Sequence, residues 1–171
     1  MSLFANGFLK EIKEGQERIE NLLCDFPDHM KDKFSKEKRS EIMSKIRKTN
    51  TKPELLVRKY LFSKGLRFRI YNRKLIGNPD IVFPKYKTVV FINGCFWHAH
   101  NNCKLNRMPK SNTDYWIPKI LKNVERDKRN KKELKHLGWN VLIIWECELS
   151  SQQREKTLIK LYKKIIESEI R

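Results

Sequence analysis

Two apolar runs constrain this chain more than any other feature. Thr88-Val-Val-Phe-Ile92 and Val141-Leu-Ile-Ile-Trp145 read as strands, and the first is continuous rather than alternating. A strand that is apolar on both faces must be covered on both, so the runs predict buried strands of a sheet flanked by helices. The segments around them supply the rest. Ser35 can cap a basic helix over 36–48 with a narrow apolar stripe of Ile42, Met43 and Ile46. Thr51-Lys-Pro-Glu54 is a capping box with proline in the first turn; it opens a helix carrying Leu55, Leu56, Tyr60 and Leu61 that Gly65 stops. Arg67-Phe-Arg-Ile-Tyr71 alternates as a half-buried strand does, and Ile81-Val-Phe83 is a further strand, joined to 88–92 by the turn Pro84-Lys-Tyr-Lys87. A long polar helix covers 113–136 and ends near Gly138, and a last helix over 152–168 carries Leu158, Leu161, Ile165 and Ile166. The fold class predicted is α/β: a single domain over 35–171 with one central mixed β-sheet flanked by helices. Residues 1–34 read as an N-terminal extension. Phe8, Ile12, Ile19, Leu22 and Leu23 fit a helix over 6–23, but a loosely held arm fits equally.

The chain has 171 residues, and 38 lysines and arginines against 20 acids give it a formal net charge of +18. That excess points to a polyanionic partner, nucleic acid first, although charge alone says nothing of chemistry. The N-terminal segment shows no apolar core of a secretion signal, and no stretch approaches the roughly 18 apolar residues of a membrane span. A reducing cytosol is therefore expected, with no membrane partner. In that setting Cys24, Cys95, Cys103 and Cys147 suggest metal binding rather than disulfides.

The densest chemistry lies in Gly94-Cys-Phe-Trp-His-Ala-His-Asn-Asn-Cys103. Cys95, His100 and Cys103 are spaced as metal ligands in one loop, and Cys147 follows the strand at 141–145. Four N or S donors make a closed tetrahedral zinc site, structural rather than catalytic. The bland alternative is that the thiols are small buried hydrophobes. His98 need not share that site and can transfer a proton near neutral pH. Asp80, in Gly77-Asn-Pro-Asp80, opens a buried strand, where a carboxylate is costly unless a cation or hydrogen-bond donors meet it. Pro-Asp before a strand is the first half of a PD-(D/E)xK nuclease signature, yet the next strand carries no acid. Asp127 sits in a charged helical run, Asn123-Val-Glu-Arg-Asp-Lys-Arg129, most of which is a solvated face.

Taken together, Lys38-Arg-Ser-Glu-Ile-Met43, Gly77-Asn-Pro-Asp80-Ile-Val, Phe91-Ile-Asn-Gly-Cys-Phe-Trp-His98, Tyr115-Trp116, Lys122-Asn-Val-Glu-Arg-Asp127, Gly138-Trp139 and Trp145-Glu-Cys147 resemble the very-short-patch repair (Vsr) endonucleases. The matches run in family order over 36–148. The family is a variant of the PD-(D/E)xK superfamily without the usual E-x-K, which accounts for the missing acid. The resemblance implies a restriction-endonuclease-like fold and Mg²⁺-dependent nicking of one DNA strand beside a T:G mismatch, with two Mg²⁺ ions flanking the scissile phosphate. It implies that Asp80 and the Ile92 carbonyl hold Mg²⁺, that His98 assists the attacking water and that Asp127 supports the site. Cys95, His100, Cys103 and Cys147 would bind structural zinc, and Phe96, Trp97 and Trp116 would wedge into the duplex. It further implies a monomer acting on double-stranded DNA in a prokaryotic cytoplasm, with mismatch-repair proteins as candidate partners. Two departures stand out. Asn93 occupies the place of a family histidine and cannot take a proton. The loop from His98 to Cys103 is also one residue longer than the common pattern. The alternative readings are a zinc-stabilised DNA-binding module whose nuclease site has decayed, or a nuclease with another DNA target.

Overall fold

A computed structural model describes residues 35–45, 47, 49–109 and 112–170. The extension over 1–34, with its expected helix over 6–23, lies outside the described residues. Helix α1 (Lys36–Ser44) starts where Ser35 accepts the Lys38 amide at 3.2 Å. It ends before the expected residue 48, and its apolar stripe covers no core: Ile42 and Met43 are 37 % and 40 % exposed. What holds it locally is Glu41, paired with Lys38 and Lys45 one turn away, a surface contribution of a few tenths of a kcal/mol.

Helix α2 (Lys52–Ser63) has both bonds of its capping box, between Thr51 and Glu54, and Pro53 in its first turn. Gly65, at φ +83°, turns the chain out, and Leu66 N–H closes the end on Leu61 O. The strand expected at 67–71 forms only one bridge, Arg69 to Val82. Its residues alternate correctly, but Tyr71 adopts φ +51° and turns its hydroxyl back onto Asn50 and Glu54, so the ladder stops there.

Strand β1 (Ile81–Phe83) pairs antiparallel with β2 (Thr88–Asn93), which pairs parallel with β3 (Asn140–Trp145). Helix α3 (Thr113–His136) lies on the crossover that parallel pairing requires. A 3-10 turn (Glu146–Leu149) leads to α4 (Arg154–Ile166), and a second turn (Glu167–Ile170) follows. Among the described residues β2 is the central strand. β3 lies at the edge, with Ile144 alone fully buried, so its apolar run is less enclosed than the sequence predicts.

The two faces of the sheet are covered unequally. On one, Phe83, Val90 and Ile144 pack against Val57 and Leu61 of α2 and Leu158, Leu161 and Ile165 of α4, in a core of eleven buried residues. On the other, Val82 and Val89 meet Leu134 of α3, a core of three. Each large side chain removed from water contributes about 1.5–3 kcal/mol, so the face covered by α2 and α4 carries most of the apolar stabilisation. Open space lies beneath α3, at the end of β2.

Candidate active site and metal cluster

The open space is a cleft of about 1360 Å³ lined by Glu54, Asp80, Ile92, Asn93, Trp97, His98, Trp116 and Asp127, among others. Asp80 immediately precedes β1, and its Oδ2 accepts the Ile92 N–H at 2.7 Å. In register with β1, where Ile81 faces Val90, the residue opposite Ile92 is Pro79. Proline has no N–H to offer, so the Ile92 carbonyl meets no ladder donor there, while the Ile92 N–H is taken by the Asp80 side chain. The Ile92 carbonyl projects to that same side, because both polar groups of one strand residue do. Two oxygen donors are therefore aimed into one corner. Burial pushes the Asp80 carboxyl up to about 6, against the lowering effect of the Ile92 N–H; Glu54 raises it further, while Arg58 and His98 act to lower it. A half-buried carboxylate beside a backbone carbonyl is a donor set that suits a hard cation.

His98 follows β2 in a tight loop in which its N–H donates to Gly94 O at 3.2 Å. Its Nδ1 is hydrogen-bonded to Asp127 Oδ2 on α3. Arg126 donates to the other Asp127 oxygen at 3.2 Å. Asn123, one turn earlier on α3, donates to Trp97 O at 3.2 Å and pins the loop to the helix. Asn93 is buried, and strand alternation puts its side chain on the α3 side of the sheet with Asp80. Asp80, His98, Asp127 and Asn93 thus meet in one cleft although 47 positions separate the first from the third.

Cys95, His100, Cys103 and Cys147 come together at the cleft's edge, with one donor atom from each lying within 4.8 Å of the others. His100 Nδ1 lies 3.6 Å from Cys95 Sγ and 3.3 Å from Cys147 Sγ. Two left-handed residues, Ala99 and Asn102, fold the loop back on itself, and Asn106 donates to His100 O at 3.0 Å. Burial pushes the Cys95 thiol up to about 12 and also raises Cys147. Burial acts the same way on Cys103, but the Leu105 N–H and the two neighbouring thiols outweigh it and lower that group. Three thiols and an imidazole this close cannot all carry charge or lone pairs inward without a cation, and their chemistry fits a thiophilic ion in tetrahedral coordination.

Phe96, Trp97 and Trp116 belong to neither apolar core. They pack edge-on or tilted against one another at 5.0–5.8 Å. Tyr115 extends the group, at 5.1 Å from Trp116. The Lys119 ammonium lies 4.8–5.8 Å from the Tyr115, Trp116 and Trp97 rings and donates to the Tyr115 hydroxyl at 2.6 Å. The result is a half-buried aromatic wall with a cation on it.

Sequence reasoning missed two sets of residues. In the sequence Tyr115 stands out only as a neighbour of Trp116, and Lys119 is one lysine of a polar helix; its spacing from Tyr115, one helical turn, is the available signal. In the sequence Glu54 reads as a cap alone. It also lines the cleft and accepts from Arg58 at 2.8 Å, while Arg58 donates to Asp80 O at 3.2 Å and to Asn50 Oδ1 at 2.8 Å.

The sequence profile of the DNA mismatch endonuclease Vsr matches residues 31–105. The chain is 53 % identical over 123 residues to a type II nicking enzyme of Neisseria meningitidis serogroup A, covering 72 % of this chain and 87 % of the relative. It is 48 % identical over 121 residues to a type II nicking enzyme of Xanthomonas oryzae, covering 71 % and 88 %. To the DNA mismatch endonuclease Vsr of Escherichia coli K12 it is 42 % identical over 125 residues, covering 73 % and 80 %. No helix among the described residues is long and apolar enough to cross a membrane. With identities of this size spanning most of each relative, and with the acid, histidine and cysteine segments gathered as described, the chain belongs to the Vsr family of DNA endonucleases and is an endodeoxyribonuclease.

Proposed function

We propose that this endonuclease nicks one strand of duplex DNA beside a T:G mismatch in a Mg²⁺-dependent reaction, the strand-opening step of very-short-patch repair. The observation that carries the reading is the convergence of Asp80, the His98–Asp127 pair and the aromatic wall on one cleft. Asp80 and the Ile92 carbonyl would hold Mg²⁺, which supplies positive charge to the scissile phosphate when bound. Asp127 fixes His98 with Nδ1–H as donor, leaving Nε2 to take the proton of the attacking water. The resulting hydroxide adds to phosphorus and the bond to the 3′ oxygen breaks; that oxygen takes a proton from solvent, giving 5′-phosphate and 3′-hydroxyl ends. Asn93 can hydrogen-bond a phosphate oxygen but cannot share the proton work. Phe96, Trp97 and Trp116 would enter the base stack at the mismatch, where pairing is weakest and unstacking least costly.

Zinc suits Cys95, His100, Cys103 and Cys147, and four protein ligands leave it no open position for chemistry. The fold that accommodates these parts is restriction-endonuclease-like. Residues 35–171 form the endonuclease domain and 1–34 an extension to it. The enzyme acts as a monomer on double-stranded DNA in a prokaryotic cytoplasm, with mismatch-repair proteins as candidate partners.

The test is a nicking assay on duplexes that differ only in T:G against T:A, with Mg²⁺ added. T:G duplex should be nicked, Asp80→Ala should abolish nicking while leaving binding, and His98→Ala should slow it by about a hundredfold or more. A second reading is favoured by Asn93, which stands buried where the family has a histidine. Tight T:G binding without nicking in either Mg²⁺ or Mn²⁺ would establish that reading, a DNA-binding module with a decayed site. Equal nicking of both duplexes would mean another target.

A further inference from the structure

Trp145 ends β3, and the nuclease chemistry makes no use of it. Its indole lies flat on the His100 imidazole, centroids 4.0 Å apart and planes 6° from parallel. The other ring pairs among the described residues meet at 59° to 78°. The one face-to-face stack therefore falls on the one imidazole of the thiol cluster. Trp145 is tied to the other ligands as well. Its backbone N–H donates to Glu148 Oε2 at 2.8 Å, which closes the turn holding Cys147. It pairs in register with Asn93, two residues before Cys95.

An imidazole ligand offers its lone pair in the ring plane. A stack restrains that plane while leaving the in-plane nitrogen accessible. An imidazole that donates to a divalent ion also becomes electron-poor, and an electron-poor ring is drawn more strongly to the indole face. We infer that Trp145 is a positioning residue for the metal cluster: its indole holds His100 in the plane that delivers Nδ1, so that metal binding and the stack strengthen each other. Side-chain substitution at 145 removes the stack and leaves the bond to Glu148, which comes from the backbone.

The inference rests on the cluster holding zinc, and the experiment separates the two. Full-length zinc-loaded protein is challenged with a chromogenic chelator. Trp145→Leu should release zinc about tenfold to a hundredfold faster than wild type, the usual loss when support for a metal ligand is removed. Trp145→Phe, which keeps a ring, should release it about threefold faster. In Co²⁺-substituted protein the ligand-field bands should shift in Trp145→Leu and stay in place in Trp145→Phe. In a His100→Cys background there is no imidazole to stack, so neither substitution should change the rate further. If Trp145→Leu does not fold, the Trp145→Phe effect, present with His100 and gone in His100→Cys, decides the matter alone. Release at the wild-type rate from Trp145→Leu, or equal acceleration in both backgrounds, would overturn the inference. Wild-type protein purified without chelators and carrying no zinc ends the zinc reading itself. A zinc-bound protein indifferent to Trp145 ends only this one.

Discussion

An ionised carboxylate at Asp80 is costly in the folded chain. Burial lifts the group from 3.8 to about 6, so the folded form resists losing a proton that the unfolded form gives up readily. The sign follows directly. The contribution of Asp80 to stability is fully present below about pH 4 and is lost as pH rises through about 6, a change on the order of 2–3 kcal/mol. Asp80→Asn cannot ionise, yet its amide oxygen can still accept the Ile92 N–H. Without added Mg²⁺, the variant should melt several degrees above wild type at pH 7.5, and the gap should close toward pH 4. Added Mg²⁺ should stabilise wild type and leave Asp80→Asn unchanged. A wild type that melts at or above the variant at pH 7.5 would remove the strain argument. Asp80 was legible in the sequence because an acid before a buried strand needs a reason to be there. Glu54 was not. Its capping role accounted for it fully, whereas its side chain and that of Arg58, its partner four residues on, are 5 % and 9 % exposed. Burial of an ion pair is a tertiary property that spacing along one helix does not encode.

Among the elements, those built on their own periodicity came through and those that depend on a neighbour did not. Helices α2, α3 and α4 lie close to where caps, glycines and apolar spacing put them. The 67–71 segment alternates like a strand, but a strand needs a partner, and β1 offers only Val82 before Tyr71 turns away. The ligand loop shows the opposite case. Its three donors are close in sequence, so their meeting is local; Cys147 is brought in by the parallel pairing of β3 with β2. A metal there would staple the end of β3 to the loop after β2, across the 43 residues between Cys103 and Cys147, which contain α3. Cys147→Ser should therefore cost more than a lost contact. Metal content should fall well below that of wild type, and thermal stability should drop with it, because closing the site and folding the loop are one event. His98 sits inside that loop, so nicking should fall too. Metal analysis with melting curves checks this, and full metal retention in Cys147→Ser would exclude Cys147 as a ligand.

At the scale of the whole molecule, the +18 charge announced a polyanion but gave no surface, since the cleft forms only where the fold brings the end of β2 and α3 together. In the fold, Arg47, Arg73, Lys119, Arg126, Arg129 and Lys131 line that cleft around the acids at its floor. On the proposed reading, these cations would hold the backbone and the aromatic rings would read the bases. The two functions respond differently. Trp97→Ala should weaken binding to T:G duplex by about 1–3 kcal/mol more than binding to T:A duplex, because a stacking ring is used only where the base step opens. Equal losses would show the ring to be packing. The rim, by contrast, should be blind to the mismatch and sensitive to salt. If the six cations each neutralise one phosphate, log K against log salt should fall with a slope of roughly −5 on either duplex. Lys131→Gln should reduce that slope by about one without changing the ratio of T:G to T:A affinity. Anisotropy titrations at four or five salt concentrations measure both quantities. A flat slope would detach the charge from DNA binding, and a Lys131→Gln protein that lost mismatch preference instead would place that lysine among the reading groups.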